Sequence, residues 1–307
     1  MKEKVDLFSK LFRELEAEIG TRDLARLVIR SLDISVNHLK VKCVDDFKDQ
    51  YADLVKILSN TEPKFGVLNF HFAEMQKHFE QALCKKECSE RKWKSYASKE
   101  IKQIERCAKR QKKELINNAD KIDVEGKTIL IHDHSHTVQD TLSHYKKMGK
   151  NFKVVIAEQN FEKTYSNIEK MYQEEISFEV VPSYMLSHMH SQIDMLFFGG
   201  LTLKDTMNFV MDPGTHSIIS EFNLDHTPIY MFIDTSKFSL WKSKKRGEIF
   251  IHSHKRKHHS KDIEFKRVKY SHDRVPLDLF KKVITNEGVY SPNELRKLFE
   301  KKMNKHG

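Results

Sequence analysis

The sequence of 307 residues has no run of eighteen or more apolar residues. A transmembrane helix needs about twenty, so no membrane-spanning helix is predicted. The N-terminal stretch MKEKVDLFSKLFRELEAEIG is charged and amphipathic, and it lacks the apolar centre and small-residue cleavage site of a signal peptide. With a hydrophobic content of 39%, these absences favour a folded, cytoplasmic protein that makes no membrane contact.

Cysteine is scarce. The four residues are Cys43, Cys84, Cys88 and Cys107. Cys84 and Cys88 lie four positions apart in a predicted helix, where disulfide geometry is poor, and two cysteines alone do not complete a zinc site. The sequence therefore predicts reduced cysteines without a structural role in a disulfide or zinc site.

Acidic residues are fewer than basic ones. The chain has 44 Asp and Glu against 54 Lys and Arg, a formal net charge of +10 and a pI of about 9.2. This excess favours polyanionic partners such as nucleic acid, ribosomes or phosphorylated molecules. The alternative is a lysine-rich composition without a specific partner, because acids are interleaved with bases along most of the chain.

The densest positive charge lies in residues 242–261, which follow Trp241 and are called the basic segment here. We expect a solvated basic loop that contains one short strand, EIFIHS, and whose histidines could collect a metal ion. The candidate binding residues are Lys242, Lys244, Lys245, Arg246, Lys255, Arg256 and Lys257. The histidines are His252, His254, His258 and His259.

Strand-like alternation is absent from the first 120 residues, where apolar residues recur at helical spacing. The pattern predicts helices over Val5–Leu15, Thr21–Leu32, Asp45–Leu58, Phe70–Leu83 and Glu90–Asn117. In the second helix Thr21 is the expected cap, and the inward positions are Leu24, Ala25, Leu27, Val28 and Leu32. Residues 1–120 are therefore predicted to form an N-terminal helical domain.

From residue 121 to 307, short apolar runs alternate with helical patterns. The runs are TILIH (128–132), KVVIA (153–157), FEVVP (178–182), MLFFGG (195–200) and IYMFID (229–234). Such runs between helices are typical of buried strands in βαβ units. Residues 121–307 are therefore predicted to form an α/β, Rossmann-like domain with a mostly parallel, doubly wound sheet.

The sequence HDHSH (132–136) follows the first of these strands. Ligands bind at the carboxyl ends of strands in doubly wound sheets, so this position is a predicted binding site. Three interpretations stay open. His132, Asp133, His134 and His136 could hold a divalent metal. Alternatively, His134, Ser135 and the N–H groups of a helix starting near His136 could accept an anion. The third is a polar loop without a ligand.

Eight sequence blocks occur in an order typical of one known family. They are GTRDLARLVIRSL (20–32), TEPKFGVLNFHF (61–72), VEGKTILIHDHSHTV (124–138), GKNFKVVIAEQN (149–160), IDMLFFGG (193–200), DPGTHSIISEF (212–222), TPIYMFIDTSKF (227–238) and VPLDLFKKVITNEGVYSP (275–292). Together they resemble the family that unites the alpha, beta and delta regulatory subunits of translation initiation factor 2B with two sugar-phosphate isomerases. Those enzymes act on methylthioribose 1-phosphate and ribose 1,5-bisphosphate.

The resemblance also indicates which isomerase residues this chain lacks. Asp133 stands where the enzymes have a catalytic Cys, and Leu201 stands where they have a catalytic Asp. The phosphate-binding Glu-Ser/Thr-Arg-Pro step reads EQNF (158–161), so its Arg is absent. The Asn-Lys step before Gly-Thr reads Met211-Asp212, which replaces a cation by an acid.

By this resemblance we expect a non-catalytic protein that acts by assembly and binding, like the regulatory subunits. It would form a homodimer or larger homo- or hetero-oligomer through the C-terminal domain, with the translation machinery as a candidate partner. A phosphorylated sugar or nucleotide is the candidate ligand, and no cofactor or metal is predicted. The candidate ligand-binding residues are His132, Asp133, His134, Ser135, Glu158, Gly199, Gly200, Asp212, Gly214, Thr215 and Lys237.

Two alternatives belong to other classes. A divergent isomerase would use Asp133 with one of two histidines (His132, His134) and one of two carboxylates (Asp212, Asp234). A ribosome- or nucleic-acid-binding protein would use the basic segment, with an affinity that falls steeply with salt. One apolar set suits either an oligomer interface or a core: Phe197, Phe198, Met207, Phe209, Met211 and Phe232.

Overall fold

A computed structural model describes residues 2–38, 40, 43–59, 90–240, 251–257, 264–270 and 272–306. The chain divides into two compact units. The helical unit contains residues 1–114 and 234–238, and the α/β unit contains residues 115–233 and 239–307. The predicted helix Phe70–Leu83, together with Cys84 and Cys88, lies outside the described residues.

Three long helices are described in the first 119 residues: α1 (Lys2–His38), α2 (Val44–Ser59) and α3 (Glu90–Ala119). The two helices predicted around residue 20 form one element with a kink at Gly20, whose φ of 74° is left-handed and favours glycine. The helix predicted from Thr21 therefore begins directly after the non-helical backbone of Gly20.

The inward face of α1 follows the predicted spacing, with one exception. Leu24, Val28 and Leu32 are buried at four-residue intervals. Leu27 was predicted to face inward but is 43% exposed. Leu24 and Val28 belong to the buried stripe of the helix. Leu27 lies three positions after Leu24 and one before Val28, at the edge of that stripe.

The α/β unit is built on a seven-stranded sheet with the order β12-β11-β7-β4-β1-β2-β3. All neighbours are parallel except β11 and β12. The strands are β1 (Lys127–Ile131), β2 (Phe152–Glu158), β3 (Ser177–Pro182), β4 (Met195–Gly199), β7 (Ile229–Phe232), β11 (Lys282–Thr285) and β12 (Gly288–Tyr290). The predicted α/β class with a mostly parallel sheet is confirmed.

Helices and short 3-10 segments connect these strands. The helices are α4 (His136–Lys147), α5 (Phe161–Gln173), α6 (Thr215–Leu224) and α7 (Pro292–His306), and the 3-10 segments are Ser183–Gln192, Thr235–Lys237 and Leu277–Leu279. None of the helices in the described ranges combines the length and the apolar character that a membrane crossing requires.

Two small antiparallel sheets accompany the main one. The first has the order β10-β6-β5, from β5 (Thr202–Leu203), β6 (Asn208–Met211) and β10 (Asp273–Pro276). The second pairs β8 (Ile251–Lys257) with β9 (Glu264–Tyr270). The prediction of a basic loop is therefore wrong for residues 255–257, because β8 continues through them as a paired strand.

The apolar set that suited either an interface or a core belongs mainly to the core. Phe197, Phe198, Phe209, Met211 and Phe232 are all buried, with exposed fractions of 0–1%. Met207 is half-buried and has a positive φ of 55°. Five of the six side chains are therefore already covered within the single chain.

Candidate functional site

The carboxyl ends of β1, β2 and β4 meet at one edge of the main sheet, because β1 pairs in parallel with both of the others. The chain leaves β1 towards β2 and β3, and returns to the other side of β1 at β4. This reversal makes the edge a topological switch point, the usual binding position in such sheets. HDHSH and the Gly199-Gly200 pair therefore lie where a ligand site is expected.

Asp133 is buried against the start of the loop that follows β4. Its Oδ2 accepts a hydrogen bond from the Gly199 N–H at 2.8 Å. Its Oδ1 is buried and has no hydrogen-bond partner within the described part of the chain. Burial, and then the charge of Asp212, raise the pKa of the Asp133 carboxyl to about 8. Asp133 is therefore mainly protonated and uncharged at pH 7.

Ser135 lies against Gly199 and caps α4. Its hydroxyl oxygen accepts from the Val138 N–H at 3.4 Å. A Cβ at position 199 would overlap the Ser135 side chain, with the Ser135 Cβ only 2.6 Å away. Glycine is therefore required at 199 for the close approach of β4 to the first turn of α4.

The Gly199→Ala variant should lower the free energy of unfolding by about 1–3 kcal/mol, as expected for overpacking. The second-site change Ser135→Gly removes the overlapping atoms and costs the α4 cap only a few tenths of a kcal/mol. Chemical denaturation of the single and double variants tests this, since Ser135→Gly should restore most of the lost stability. An equal loss in both variants would contradict the packing argument.

His132 is a buried, neutral imidazole. The side-chain amide of Gln159 lies 3.0 Å from its Nε2, within hydrogen-bond distance. Burial lowers the pKa of His132. Gly214 lies near the same nitrogen: a Cβ there would be 3.4 Å from the His132 Nε2, and its φ of 94° independently favours glycine.

His134 has a different partner. Its Nε2 is 2.8 Å from the Ser166 hydroxyl, and its ring packs edge-on against that of His136 at 4.7 Å. Burial, then the neighbouring His136, lower the pKa of His134 to about 4. Since His132 and His134 bond to separate partners, they do not converge. Within the described ranges, no three or more His, Cys, Asp or Glu side chains could hold a metal ion.

An ion pair that the sequence did not reveal lies in the same place. The Lys163 Nζ is 2.6 Å from the Asp212 Oδ2, and both side chains are largely buried. The charge of Lys163 opposes the rise in the Asp133 pKa and contributes to the low pKa of His132 and His134. The sequence feature that could have indicated this pair is Lys163 in the first turn of α5, where an acidic residue is usual.

The start of α6 is occupied by a carboxylate of the same chain. The Asp273 Oδ2 accepts from the N–H groups of Gly214 and His216, each at 2.9 Å. Thr215, between them, is fully buried, and its hydroxyl has no partner within the described residues. Asp273 is 59 positions from Gly214, so no local motif predicts this contact.

Other predicted residues are not part of this cluster. Glu158 is exposed at the end of β2, and its carbonyl accepts from the Ser183 hydroxyl. Gly200 is buried, with its Cα facing Ile233 and Met231. Lys237 belongs to the segment 234–238, which groups with the helical unit. The basic-segment residues Lys242, Lys244, Lys245 and Arg246 lie outside the described residues.

The two family positions for catalysis hold residues of unlike chemistry. Leu201 is half-buried, and its N–H donates to the Val210 carbonyl at 3.0 Å. Asp133 is the carboxyl described above. Asp234, the carboxylate of the alternative enzyme, is buried in the helical unit and accepts from the Ser236 N–H at 2.8 Å.

The sequence profile of the initiation factor 2 subunit family matches residues 17–292, which is most of the chain. The chain belongs to the initiation factor 2 subunit family. No curated protein matches this sequence. The resemblance that the eight blocks carry is therefore confirmed at the level of the family.

Solved structures agree in fold. The translation initiation factor 2B of Pyrococcus horikoshii OT3 has a TM-score of 0.74 at 16% identity, with 92% of this chain and 96% of that chain covered. A tetrameric beta2-delta2 complex of initiation factor 2B from Chaetomium thermophilum has a TM-score of 0.72 at 15% identity, covering 96% and 94%. The 5-methylthioribose 1-phosphate isomerase of Pyrococcus horikoshii OT3 has 0.72 at 16%, covering 95% and 87%. These neighbours include initiation factors as well as an isomerase. They therefore establish the fold, and the activity has to be inferred from the residues of the site.

Proposed function

We propose that this family member is non-catalytic and acts by assembly and binding, as a regulatory-subunit type of initiation factor 2B protein. The observation that carries the proposal is the pair of residues at the isomerases' catalytic positions. Leu201 has no group that exchanges a proton, and Asp133 replaces a thiol. An isomerase must move a hydrogen between adjacent carbons, which takes an acid and a base in the same pocket.

The charges around Asp133 support the same proposal. Lys163 is the cation of this cluster, and Asp212 pairs with it at 2.6 Å. A doubly charged phosphate would have to compete with Asp212 for that lysine. It would also approach Asp212 itself, whose charge already raises the pKa of Asp133.

The helix N-termini at this edge also have partners within the chain. Ser135 caps α4, Asn160 caps α5 through its side-chain oxygen, and Asp273 holds the start of α6. Free N–H groups at a helix start are the common phosphate site of α/β proteins. With Asp273 in that position at α6, we rank assembly ahead of the sensing of a phosphorylated sugar or nucleotide.

Assembly is supported by the tetrameric initiation factor complex among the structural neighbours. We propose a homo- or hetero-oligomer formed through the C-terminal domain, residues 121–307, with residues 1–120 as the helical domain. The translation machinery is the corresponding candidate partner.

Sedimentation velocity over a concentration series, with thermal shift on the same protein, tests the proposal. We expect an oligomer, and little or no shift with ribose 1,5-bisphosphate, methylthioribose 1-phosphate, AMP or GMP. A ligand present at a hundred times its dissociation constant would add about 2.7 kcal/mol, which such a scan detects. A monomer at every concentration would overturn self-assembly, and a clear shift with one compound would restore ligand sensing.

A second candidate function, a divergent isomerase, has one observation in its favour. Asp133 has a pKa raised to about 8 beside a second carboxylate and a lysine, an arrangement that many acid–base sites share. This enzyme would use Asp133 with His132 or His134 and Asp212. It predicts measurable turnover of a sugar phosphate that Asp133→Asn abolishes, and unchanged turnover would exclude Asp133 from the mechanism.

A further inference from the structure

The β8–β9 pair is a two-stranded ribbon outside both other sheets. Its register runs over seven residue pairs, from Ile251 opposite Tyr270 to Lys257 opposite Glu264. Isolated two-stranded ribbons are only marginally stable. Both strands are edges of this sheet, so each has one side of its backbone without a paired strand within the described residues.

The ribbon concentrates the charge of the protein. Its fourteen residues include six Lys or Arg and a single Glu. Half of the formal net charge of +10 therefore lies in two short strands. Along α3, ten Lys or Arg and four Glu are spread over thirty residues, so the net charge per residue is lower there. The ribbon is thus a local source of positive potential, the electrostatic feature that attracts phosphates.

Register assigns the residues of the ribbon to two faces, because alternate positions of a strand share a face. One face pairs His252 with Lys269, His254 with Arg267 and Arg256 with Phe265. This face has basic residues on both strands. Basic positions on one strand recur at about 6.8 Å along that face.

The opposite face adds exposed apolar groups to the charge. It pairs Ile251 with Tyr270, Ser253 with Val268 and Lys255 with Lys266. Tyr270 is 56% exposed and Val268 is 42% exposed, and Lys266 beside them is also exposed. Lysines that only protected the strand edges from aggregation would not need an exposed aromatic ring on the same face.

We propose that the β8–β9 ribbon is a binding site for single-stranded RNA. Its Lys and Arg residues contact backbone phosphates, and Tyr270 stacks on a base. The combination of a basic surface with an exposed aromatic ring suits unpaired bases, which offer a flat face to stack on. An acidic protein segment would use the same charges but has no base for Tyr270. This function is separate from the cluster around Asp133 and does not depend on it.

Fluorescence anisotropy of the full chain with a labelled single-stranded oligoribonucleotide tests the proposal across a salt series. In the variant Lys255→Ala/Lys257→Ala/Lys266→Ala, which removes the three basic residues on the same face as Tyr270, affinity should fall at least about tenfold. The slope of log affinity against log salt should become shallower by about 2, since each lost phosphate contact on a single strand removes about 0.7. Tyr270→Ala should weaken binding about tenfold at an unchanged slope, and Tyr270→Phe should bind like the wild type.

The matched control removes the same charge from α3, in Lys102→Ala/Lys109→Ala/Lys113→Ala, three exposed positions. Its affinity should stay within about twofold of the wild type, because these lysines are not part of the proposed site and exposed charges outside a site are screened by salt. Circular dichroism checks that each variant folds. If the triple ribbon variant does not fold, the difference in affinity between Tyr270→Ala and Tyr270→Phe tests the proposal instead. Wild-type binding by the ribbon variant would overturn the proposal. So would equal competition by polyglutamate, which would indicate an acidic protein partner, or equal binding of duplex RNA.

Discussion

The Asp133→Asn variant is expected to gain stability relative to the wild type as the pH rises from about 5 to about 8. The pKa of the Asp133 carboxyl is raised from 3.8 to about 8 by burial. Between these values the folded protein keeps a proton that the unfolded chain has released. The contribution of Asp133 to the free energy of unfolding therefore falls as pH rises, by up to about 1.4 kcal/mol per pH unit for one proton.

Asparagine is the matched replacement, because its amide oxygen can still accept from the Gly199 N–H and it does not ionise. Relative to the wild type, the variant should become more stable with each step towards pH 8. His134 acts in the opposite direction up to about pH 6.5, because its pKa is lowered to about 4 and the unfolded chain then binds the extra proton. This contribution is common to the variant and the wild type, so it cancels in the difference between them.

Urea denaturation at several pH values measures the difference directly. Asp205→Asn provides the control, because it makes the same chemical change at an exposed position of the turn between β5 and β6. The control should keep the wild-type pH dependence. If Asp133→Asn also keeps it, Asp133 is ionised in the folded protein, and the neutral site described here is wrong.

The Phe197→Ala variant should lose about 3–5 kcal/mol of unfolding free energy. Phe197 is fully buried in β4, with ring centroids 4.8 Å from Phe232 and 5.7 Å from Tyr230. Removing the ring leaves a cavity beside Tyr230 and Phe232 of the neighbouring strand β7, and the paired backbones limit its collapse. Proteins are stable by only about 5–15 kcal/mol, so the variant should unfold at a much lower denaturant concentration.

Phe161→Ala is the matched control, since the same ring is 82% exposed at the start of α5. Its loss should stay within about 0.5 kcal/mol, as for most surface changes. Phe197→Leu should lie between the two, because it refills part of the space. Equal effects of Phe197→Ala and Phe161→Ala would contradict a core position for β4 and would reopen the interface interpretation of Phe197.

The sequence predicts the main sheet well where strands are continuous apolar runs. ILI in β1, VVIA in β2 and LFF in β4 are buried on both faces, so composition alone identifies them. β5 has two residues, and β10 contains Asp273, Arg274 and Pro276. Such short or polar strands are stabilised by a partner distant in sequence, and no local pattern indicates that pairing.

The candidate site was predictable in its position and less so in its contacts. The residues after β1 and β4 follow from the rule that ligand sites lie at strand ends. The Lys163–Asp212 pair joins residues 49 positions apart. Asp273 reaches Gly214 from a strand that was not predicted. Both contacts depend on which elements become neighbours in space. In both, a carboxylate of the chain already occupies a group that could otherwise bind an anionic ligand.

One measurement tests most directly the central claim that the family's isomerase site is inactive in this chain. Nuclear magnetic resonance can follow methylthioribose 1-phosphate and ribose 1,5-bisphosphate in the presence of the purified full-length protein, with Asp133→Asn as the matched variant. We expect no conversion of either compound above the buffer background, with the wild type and the variant alike. Steady conversion by the wild type that Asp133→Asn abolishes would contradict it.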